Sequence, residues 1–186
     1  MIRSKDRSYY IGASDTSYVV GNWKTKTFDR WYGTKLGIYS MDFVNDAMRA
    51  GTAYEHRILD ALRIKGLRKD EQYIEGRLRI NLDGCTDDEI YEVKTHNVEK
   101  PFKVSKAYRQ QVVVEMYGTG KRNAQIVAYG LESRDYNNYY RDIDKDRMTF
   151  HRIEYDEDFI NNVYLPRFCY LSACLDRGAF PKESEI

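Results

Sequence analysis

The sequence has little of the residue types that commonly staple small proteins or bind zinc and iron. Its 186 residues include three cysteines, three histidines and three prolines. An odd count of three cysteines does not make a disulfide framework, and a closed iron–sulfur site needs four thiolates. The three histidines show no zinc-ligand spacing. These shortages argue against a disulfide-stapled fold, an all-cysteine iron–sulfur cluster and a structural zinc site.

Long apolar runs are also missing. No run approaches the roughly 20 residues that a membrane-spanning helix needs, and the basic N-terminus, MIRSKDRSYYIGAS, has no apolar core of signal-peptide length. Hydrophobic residues make up 42% and charged residues 32% of the chain, a balance typical of folded globular proteins. We therefore expect a single domain over residues 1–186 that lies in the cytoplasm and makes no contact with a membrane.

The net charge of +1 points to no particular partner, but the charges are unevenly distributed. Lys100, Lys103, Lys106 and Arg109 form a basic group, whereas acidic residues are frequent between positions 135 and 158. Segregated charge of this kind can produce a basic groove on a nearly neutral protein. It is equally compatible with an ordinary surface, so charge alone does not decide the matter.

The spacing of apolar residues predicts an α/β or α+β fold with a mixed central sheet flanked by helices. Residues 41–65 predict a long helix, and the segments GRLRINLDG and EIYEVKT alternate with a period of two, as the strands of a hairpin do. A helix capped by Ser105 follows, then the strands AQIVAYG and MTFHRIEY. The last predicted helix covers residues 156–177 and is kinked at Pro166.

Five polar residues on these elements can converge on one site. Asp83 ends one predicted strand, and Glu92 and Lys94 share a face of the next. Two such carboxylates suit a hard divalent cation such as Mg²⁺, and a neighbouring lysine can hold a water and stabilise charge on a phosphate. Glu55, at the border of the buried helix stripe, offers a third oxygen, and Gln111 on the following helix can orient the lysine or a water.

This arrangement resembles the PD-(D/E)XK nuclease signature, with Asp83 followed by EVK at Glu92 to Lys94. The flanking segments IGASD, FDRWYGTKLG, GTAYEHRIL and AYRQQVVVEMYGTG are similar, in order, to those of the lambda-exonuclease and YqaJ-like viral recombinase nucleases. The resemblance covers residues 7–130. It implies a restriction-endonuclease-like nuclease core.

The resemblance also implies roles for individual residues. Asp83 and Glu92, helped by Glu55, would bind Mg²⁺, with Mn²⁺ as the alternative, and Lys94 would be the catalytic lysine. Gln111 matches the glutamine of the family's helix, although Val113 stands where the lambda-type enzyme often has a second glutamine. Arg7 and Ser14 match the residues that hold a terminal 5′-phosphate, and a guanidinium beside a hydroxyl near a helix start does make an anion pocket. The basic residues Lys103, Lys106 and Arg109 would contact the DNA backbone.

The implied activity is 5′-to-3′ exonuclease cleavage of double-stranded DNA ends in phage-type recombination or replication. The family resemblance adds a single-strand annealing protein as partner and a homo-oligomer, a trimer in the lambda-type enzyme. Three alternatives stay open. The protein could be a structure-specific endonuclease, or a protein of nuclease fold that binds DNA ends or a partner without cutting. The third alternative is an accidental match in a tyrosine-rich structural module. The cysteine count disfavours a CRISPR-associated iron–sulfur exonuclease. We interpret Asp87, Asp88 and Glu89 as solvated turn acids rather than ligands.

Overall fold

The computed structural model describes residues 8–40, 46–136 and 138–182, and within them it contains one mixed sheet with helices on both faces. The strands are β1 (Ile11–Gly12), β2 (Arg68–Glu75), β3 (Leu78–Cys85), β4 (Glu89–Asn97), β5 (Asn123–Leu131) and β6 (Met148–Ile153). The helices are α1 (Thr16–Val19), α2 (Lys26–Lys35), α3 (Asp46–Leu62), α4 (Lys106–Thr119) and α5 (Leu165–Asp176), the last preceded by a helical turn Glu157–Phe159 and a wide π turn Ile160–Tyr164. The expected fold class is confirmed.

The sheet is divided at the contact between β3 and β4. Strand β3 pairs antiparallel with β2 along its length and parallel with β1 at Leu78 and Arg79. Strand β4 pairs parallel with β5 over residues 89–97, and β5 pairs antiparallel with β6. Between β3 and β4, however, the register holds just two pairs, Gly84 with Tyr91 and Cys85 with Ile90. The two halves of the sheet therefore meet at a short junction and separate beyond it.

Two apolar clusters pack the helices onto the sheet. On one face, α4 contributes a run of buried side chains from Val112 to Met116, which packs on Ile80, Leu82 and Ile126 together with α1, α2 and α5. On the other face, Tyr54, Ile58 and Leu59 of α3 pack against Val93 and Val127, together with neighbouring apolar residues. Because period-two alternation sends successive side chains of β4 to opposite faces, Val93 points into the second cluster while Glu92 and Lys94 point toward α4.

Most of the predicted elements are present, with two corrections. The two predicted hairpin strands are β3 and β4, but β3 also pairs with a strand that we did not predict, β2. The final helical region is irregular over the π turn, and Pro166 lies in the first turn of α5. A proline is tolerated there because the missing amide hydrogen disrupts less than in a helix interior. The predicted helix 41–65 is present as α3, and its first five residues lie outside the described part of the chain. None of the described helices is long and apolar enough to span a membrane.

Candidate active site at the junction of strands β3 and β4

The site begins where the main-chain pairing of β3 and β4 stops. One residue beyond the pair Gly84–Tyr91, the Asp83 Oδ2 atom accepts a hydrogen bond of 2.8 Å from the Val93 amide. If the β3–β4 ladder continued, a main-chain carbonyl would accept from the Val93 amide. Here the Asp83 side chain accepts from it instead. This bond holds the Asp83 carboxylate between the separating strands, next to the start of the EVK segment.

Glu92 and Lys94 form a buried ion pair on the face of β4 that is covered by α4. The Lys94 Nζ atom lies 2.6 Å from Glu92 Oε1, and the side chains are 20% and 4% exposed. Gln111 of α4 contacts both, because its Nε2 donates to Glu92 Oε1 at 2.6 Å and its Oε1 accepts from Lys94 Nζ at 3.3 Å. The structure therefore brings together the three residues that the sequence predicted to face one another.

Lys94 is held as a cation. Its burial would lower the pKa, but the Glu92 carboxylate, followed by smaller contributions of Glu115 and Asp83, raises the pKa above its usual range. The Nζ atom also lies 5.0 Å from the ring centroid of Tyr108, within the range of a cation–π contact. In this state Lys94 donates hydrogen bonds and supplies positive charge rather than accepting a proton.

Glu55 faces the same junction from the opposite side. It lies on α3 beside the buried Tyr54 and Ile58, and it is partly buried, as the helix pattern predicted. Burial, followed by repulsion from Glu92, raises the pKa of Glu55. The same two causes, joined by repulsion from Glu55, raise the pKa of Asp83 well above its usual value. Glu92 thus acts on both Glu55 and Asp83, and Glu55 acts on Asp83, so carboxylates from α3, β3 and β4 lie within electrostatic reach of one another.

The donor set at this region fits a hard divalent cation. All the converging groups are carboxylates, which are the oxygen ligands that Mg²⁺ and Mn²⁺ prefer. The Glu92 Oε2 atom is buried and has no hydrogen-bond partner among the described residues, and Lys94 supplies the single positive charge paired with this cluster there. An unpartnered buried carboxylate oxygen in an excess of negative charge is a costly arrangement that a cation would relieve. Asp83, Glu92 and Glu55 are the residues that would hold it.

The ligand atoms that lie close enough together to share one ion in the described part of the structure include Glu55, but neither Asp83 nor Glu92. Within the described residues, Glu55, His56 and Asp70 are the group whose ligand atoms all lie within 4.8 Å of one another. His56 Nε2 is 3.0 Å from Asp70 Oδ2, and both side chains are largely exposed. Exposed acidic groups of this kind are common without a bound metal.

The proposed 5′-phosphate residues are only partly described. Arg7 lies outside the described residues, and Ser14 is exposed on the short 3₁₀ turn Ala13–Asp15, which packs against α4. The next residue, Asp15, anchors this turn by accepting from Gly12 N at 2.9 Å and Trp31 Nε1 at 2.9 Å and pairing with Lys35 at 2.8 Å. Ser14 is thus presented on a firmly held turn next to the helix that carries Gln111.

The basic group lies at the start of α4, the helix whose Tyr108 and Gln111 contact Lys94. Lys103, Lys106 and Arg109 are exposed in the loop before α4 and in its first turn. Phe102 anchors this loop, because its ring stacks on Tyr108 at 6.1 Å, and the rings of His96 and His151 pack against it at 5.3 and 5.1 Å. As predicted, Ser105 caps the helix by accepting from the Tyr108 amide at 3.1 Å.

The turn acids were predicted correctly in two cases out of three. Asp87 and Asp88 are exposed, and Asp87 pairs at 2.8 Å with Arg68. Glu89 is only partly exposed, because it accepts hydrogen bonds from Tyr91 Oη at 2.6 Å and from Gln125 Nε2 at 3.1 Å. Glu89 therefore lies at the end of the β3–β4 pairs that is opposite to the end where Asp83 lies.

The sequence analysis missed one carboxylate of the site. Glu115 of α4 is completely buried, and its Oε1 atom accepts a hydrogen bond of 2.9 Å from Gln111 Nε2. Burial, followed by repulsion from Glu92, raises the pKa of Glu115 well above its usual value. The signal was present, since Glu115 interrupts the apolar run VVVEM and stands one helical turn after Gln111.

Comparison with known proteins supports the fold. No family model matches the chain, and no curated protein matches it significantly in sequence. The solved structures that match include an alkaline exonuclease, LHK-Exo, from Laribacter hongkongensis (19% identity, TM-score 0.67, 92% of each chain covered). They also include a phage-related exonuclease from Haemophilus somnus 129PT (17% identity, TM-score 0.59, 93% of this chain and 95% of that one). The chain has the fold of these exonucleases. LHK-Exo has also been solved in complex with dAMP, and the resemblance noted in the sequence is confirmed at the level of this fold.

Proposed function

We propose that the protein is a divalent-metal-dependent DNA nuclease, and specifically an exonuclease that degrades duplex DNA from its ends. The observation that carries the proposal is the buried pair of Glu92 and Lys94, 2.6 Å apart, in which Glu92 Oε2 has no partner among the described residues. The Glu92 carboxylate also repels the carboxylates of Asp83 and Glu55. Exonuclease structures of the same fold support it. Mg²⁺ is the proposed cofactor, with Mn²⁺ as the alternative.

The chain's own residues have distinct parts in this proposal. Asp83, Glu92 and Glu55 would hold the cation, which when bound would supply Lewis-acid stabilisation of the phosphate charge. Lys94, as an ammonium group, donates hydrogen bonds that hold a water and a phosphate oxygen. Gln111 keeps Lys94 and Glu92 in place through its two contacts. The protein therefore contributes mainly orientation and charge.

Exposed basic residues near the start of α4 offer contacts for the DNA backbone. Lys103, Lys106 and Arg109 are exposed at the start of the helix that covers Lys94, and they would contact phosphates. By the family resemblance, Arg7 and Ser14 would hold a 5′-phosphate, which would give the enzyme 5′-to-3′ polarity. A single-strand annealing partner, a role in phage-type recombination and a trimeric ring are further predictions of that resemblance. Light scattering of the purified protein tests the trimer.

The test is digestion of three duplex substrates: linear DNA with 5′-phosphates, the same DNA with 5′-hydroxyls, and covalently closed circles. Each is incubated with Mg²⁺, Mn²⁺ or EDTA, and labels at the 5′ or 3′ end report polarity. We expect the linear DNA to be degraded from its 5′ ends, the phosphorylated form faster, and the circle to stay intact. EDTA should abolish the reaction.

Variants connect the activity to the site. Lys94→Ala and Asp83→Asn should each lower the rate by about 10²-fold or more, as loss of a charged group at a reacting phosphate does. Asp88→Asn, in the nearby exposed turn, is the matched control and should keep the wild-type rate. Ser14→Ala should reduce the preference for a 5′-phosphate. Cleavage of the circle would instead indicate an endonuclease. If none of the substrates is cut in a metal-dependent reaction, the proposal is refuted, and a protein that binds DNA ends without cutting becomes the hypothesis to test.

A further inference from the structure

The buried carboxylate Glu115 has so far been described only as one of the charges near Lys94 and as an acceptor for Gln111. Its side chain is 0% exposed, and it lies on α4 one turn after Gln111. Its Oε1 atom accepts from Gln111 Nε2 at 2.9 Å, while its Oε2 atom is buried without a hydrogen-bond partner among the described residues. Burying a carboxylate with so few partners is costly. A leucine would fill the same helix position without that cost.

The contacts of Gln111 show what Glu115 accomplishes there. The Nε2 group of Gln111 has two hydrogens, and it donates to Glu92 Oε1 at 2.6 Å and to Glu115 Oε1 at 2.9 Å. Its Oε1 atom is left to accept from Lys94 Nζ at 3.3 Å. If the amide were rotated by half a turn, its oxygen would face both carboxylates and its NH₂ group would face the ammonium of Lys94. All three contacts would become repulsive.

The two acceptors that fix this orientation are not equivalent. Glu92 is shared, because its Oε1 atom accepts from both Lys94 and Gln111, and the residue is also a proposed metal ligand. Among the described residues, Glu115 Oε1 accepts from Gln111 alone. Glu115 is therefore the anchor whose hold on Gln111 does not depend on what Glu92 is bound to.

We propose that Glu115 is a positioning residue that fixes the amide of Gln111, so that the amide oxygen stays directed at Lys94. The expected effect on kcat rests on the proposed nuclease function. The orientation of the Gln111 amide does not, because it can be measured on the protein without substrate. Glu115 thus acts on the lysine through Gln111 and touches neither the phosphate nor the cation.

The kinetic test compares Glu115→Leu with Glu115→Gln. Leucine keeps the helix and the bulk but removes the acceptor, so kcat should fall by about 10- to 100-fold, as it does when the support of a site residue is lost. The KM for DNA should stay within about twofold, because the backbone contacts are untouched. Glutamine retains an acceptor oxygen and should restore kcat to within about threefold of wild type.

A double-mutant cycle shows whether Glu115 acts through Gln111. In the background of Gln111→Leu, the further change Glu115→Leu should have almost no effect, because the amide that it orients is gone. Additive losses in the double variant would overturn the inference. So would a Glu115→Gln variant as inactive as Glu115→Leu, since the charge and not the acceptor would then be what the site uses.

A second readout does not depend on activity. In ¹⁵N–¹H NMR spectra, the side-chain amide of Gln111, assigned by its loss in Gln111→Leu, should give two well-dispersed, slowly exchanging signals. They should persist in Glu115→Gln and collapse toward free-glutamine positions in Glu115→Leu. Unchanged signals in Glu115→Leu would refute the positioning role whether or not the protein cuts DNA. A wild-type protein that shows these signals but cuts nothing would refute the proposed function alone.

Discussion

Removal of the Lys94 ammonium should destabilise the protein as well as inactivate it. Lys94 and Glu92 are 20% and 4% exposed and lie 2.6 Å apart, so the pair is largely desolvated. Lys94→Met keeps the aliphatic stem but leaves Glu92 buried without its counter-charge. Stranding one partner of a buried ion pair costs about 3–5 kcal/mol. For a chain of this size, a loss of about 3 kcal/mol lowers the Tm by roughly 6–12 °C.

The measurement is urea and thermal unfolding in metal-free buffer, with two matched variants. Lys103→Met removes an exposed lysine from the neighbouring loop and should change the free energy of unfolding by less than about 0.5 kcal/mol. The double variant Lys94→Met/Glu92→Gln removes the stranded charge and should recover most of the loss. If Lys94→Met costs less than about 1 kcal/mol, or if the double variant does not recover, the buried pair does not make the contribution that its geometry indicates.

Three further results are expected. Burial, reinforced by repulsion from Glu92, raises the pKa of Asp83 well above its usual value, so the folded protein holds a proton that the unfolded chain releases. Asp83→Asn should therefore gain stability relative to wild type as the pH rises through and above the range in which free carboxyl groups titrate, measured by urea unfolding. Asp15→Ala should lower the free energy of unfolding by about 3 kcal/mol and alter Trp31 fluorescence, because it removes the acceptor of Trp31 Nε1 and Gly12 N and the ion-pair partner of Lys35. Asp29→Ala on the exposed side of α2 should have little effect. Replacing Lys103, Lys106 and Arg109 together by alanine should reduce the slope of log K for DNA against log salt by up to about 3, and an unchanged slope would exclude them from the interface.

The parts of the site that the sequence predicted are those set by local periodicity. Glu92 and Lys94 share a face because strands alternate with a period of two, and Glu55 lies beside buried residues because helices repeat every 3.6 residues. The helical period of 3.6 residues also placed Gln111 on the inward face of α4. These placements depend on the chain within a few residues of each side chain, so a single sequence was sufficient to predict them.

The features that the sequence did not predict depend on tertiary pairing. The strand β2, RKDEQYIE, carries charges at most of its positions and is an edge strand that is specified mainly by its long register with β3. The hydrogen bond from Val93 to Asp83 exists because β3 and β4 separate, and no local pattern indicates where two strands separate. Glu115 was missed although its spacing from Gln111 is visible in the sequence, because its complete burial depends on how α4 packs against the sheet.

Packing on the α3 side explains how Glu55 and Asp83 come to face one region despite their mutual repulsion. A Cβ atom on Gly84 would lie 2.9 Å from Leu59 Cδ2, so glycine at this position lets α3 approach β3 closely. Leu59 is completely buried, and its burial with Tyr54 and Ile58 holds the helix against the sheet. Glu55, one helical turn before Leu59, is carried to the junction by the same packing. The burial of these apolar side chains thus offsets the repulsion between the Glu55 and Asp83 carboxylates. A cation bound by both carboxylates would remove that repulsion.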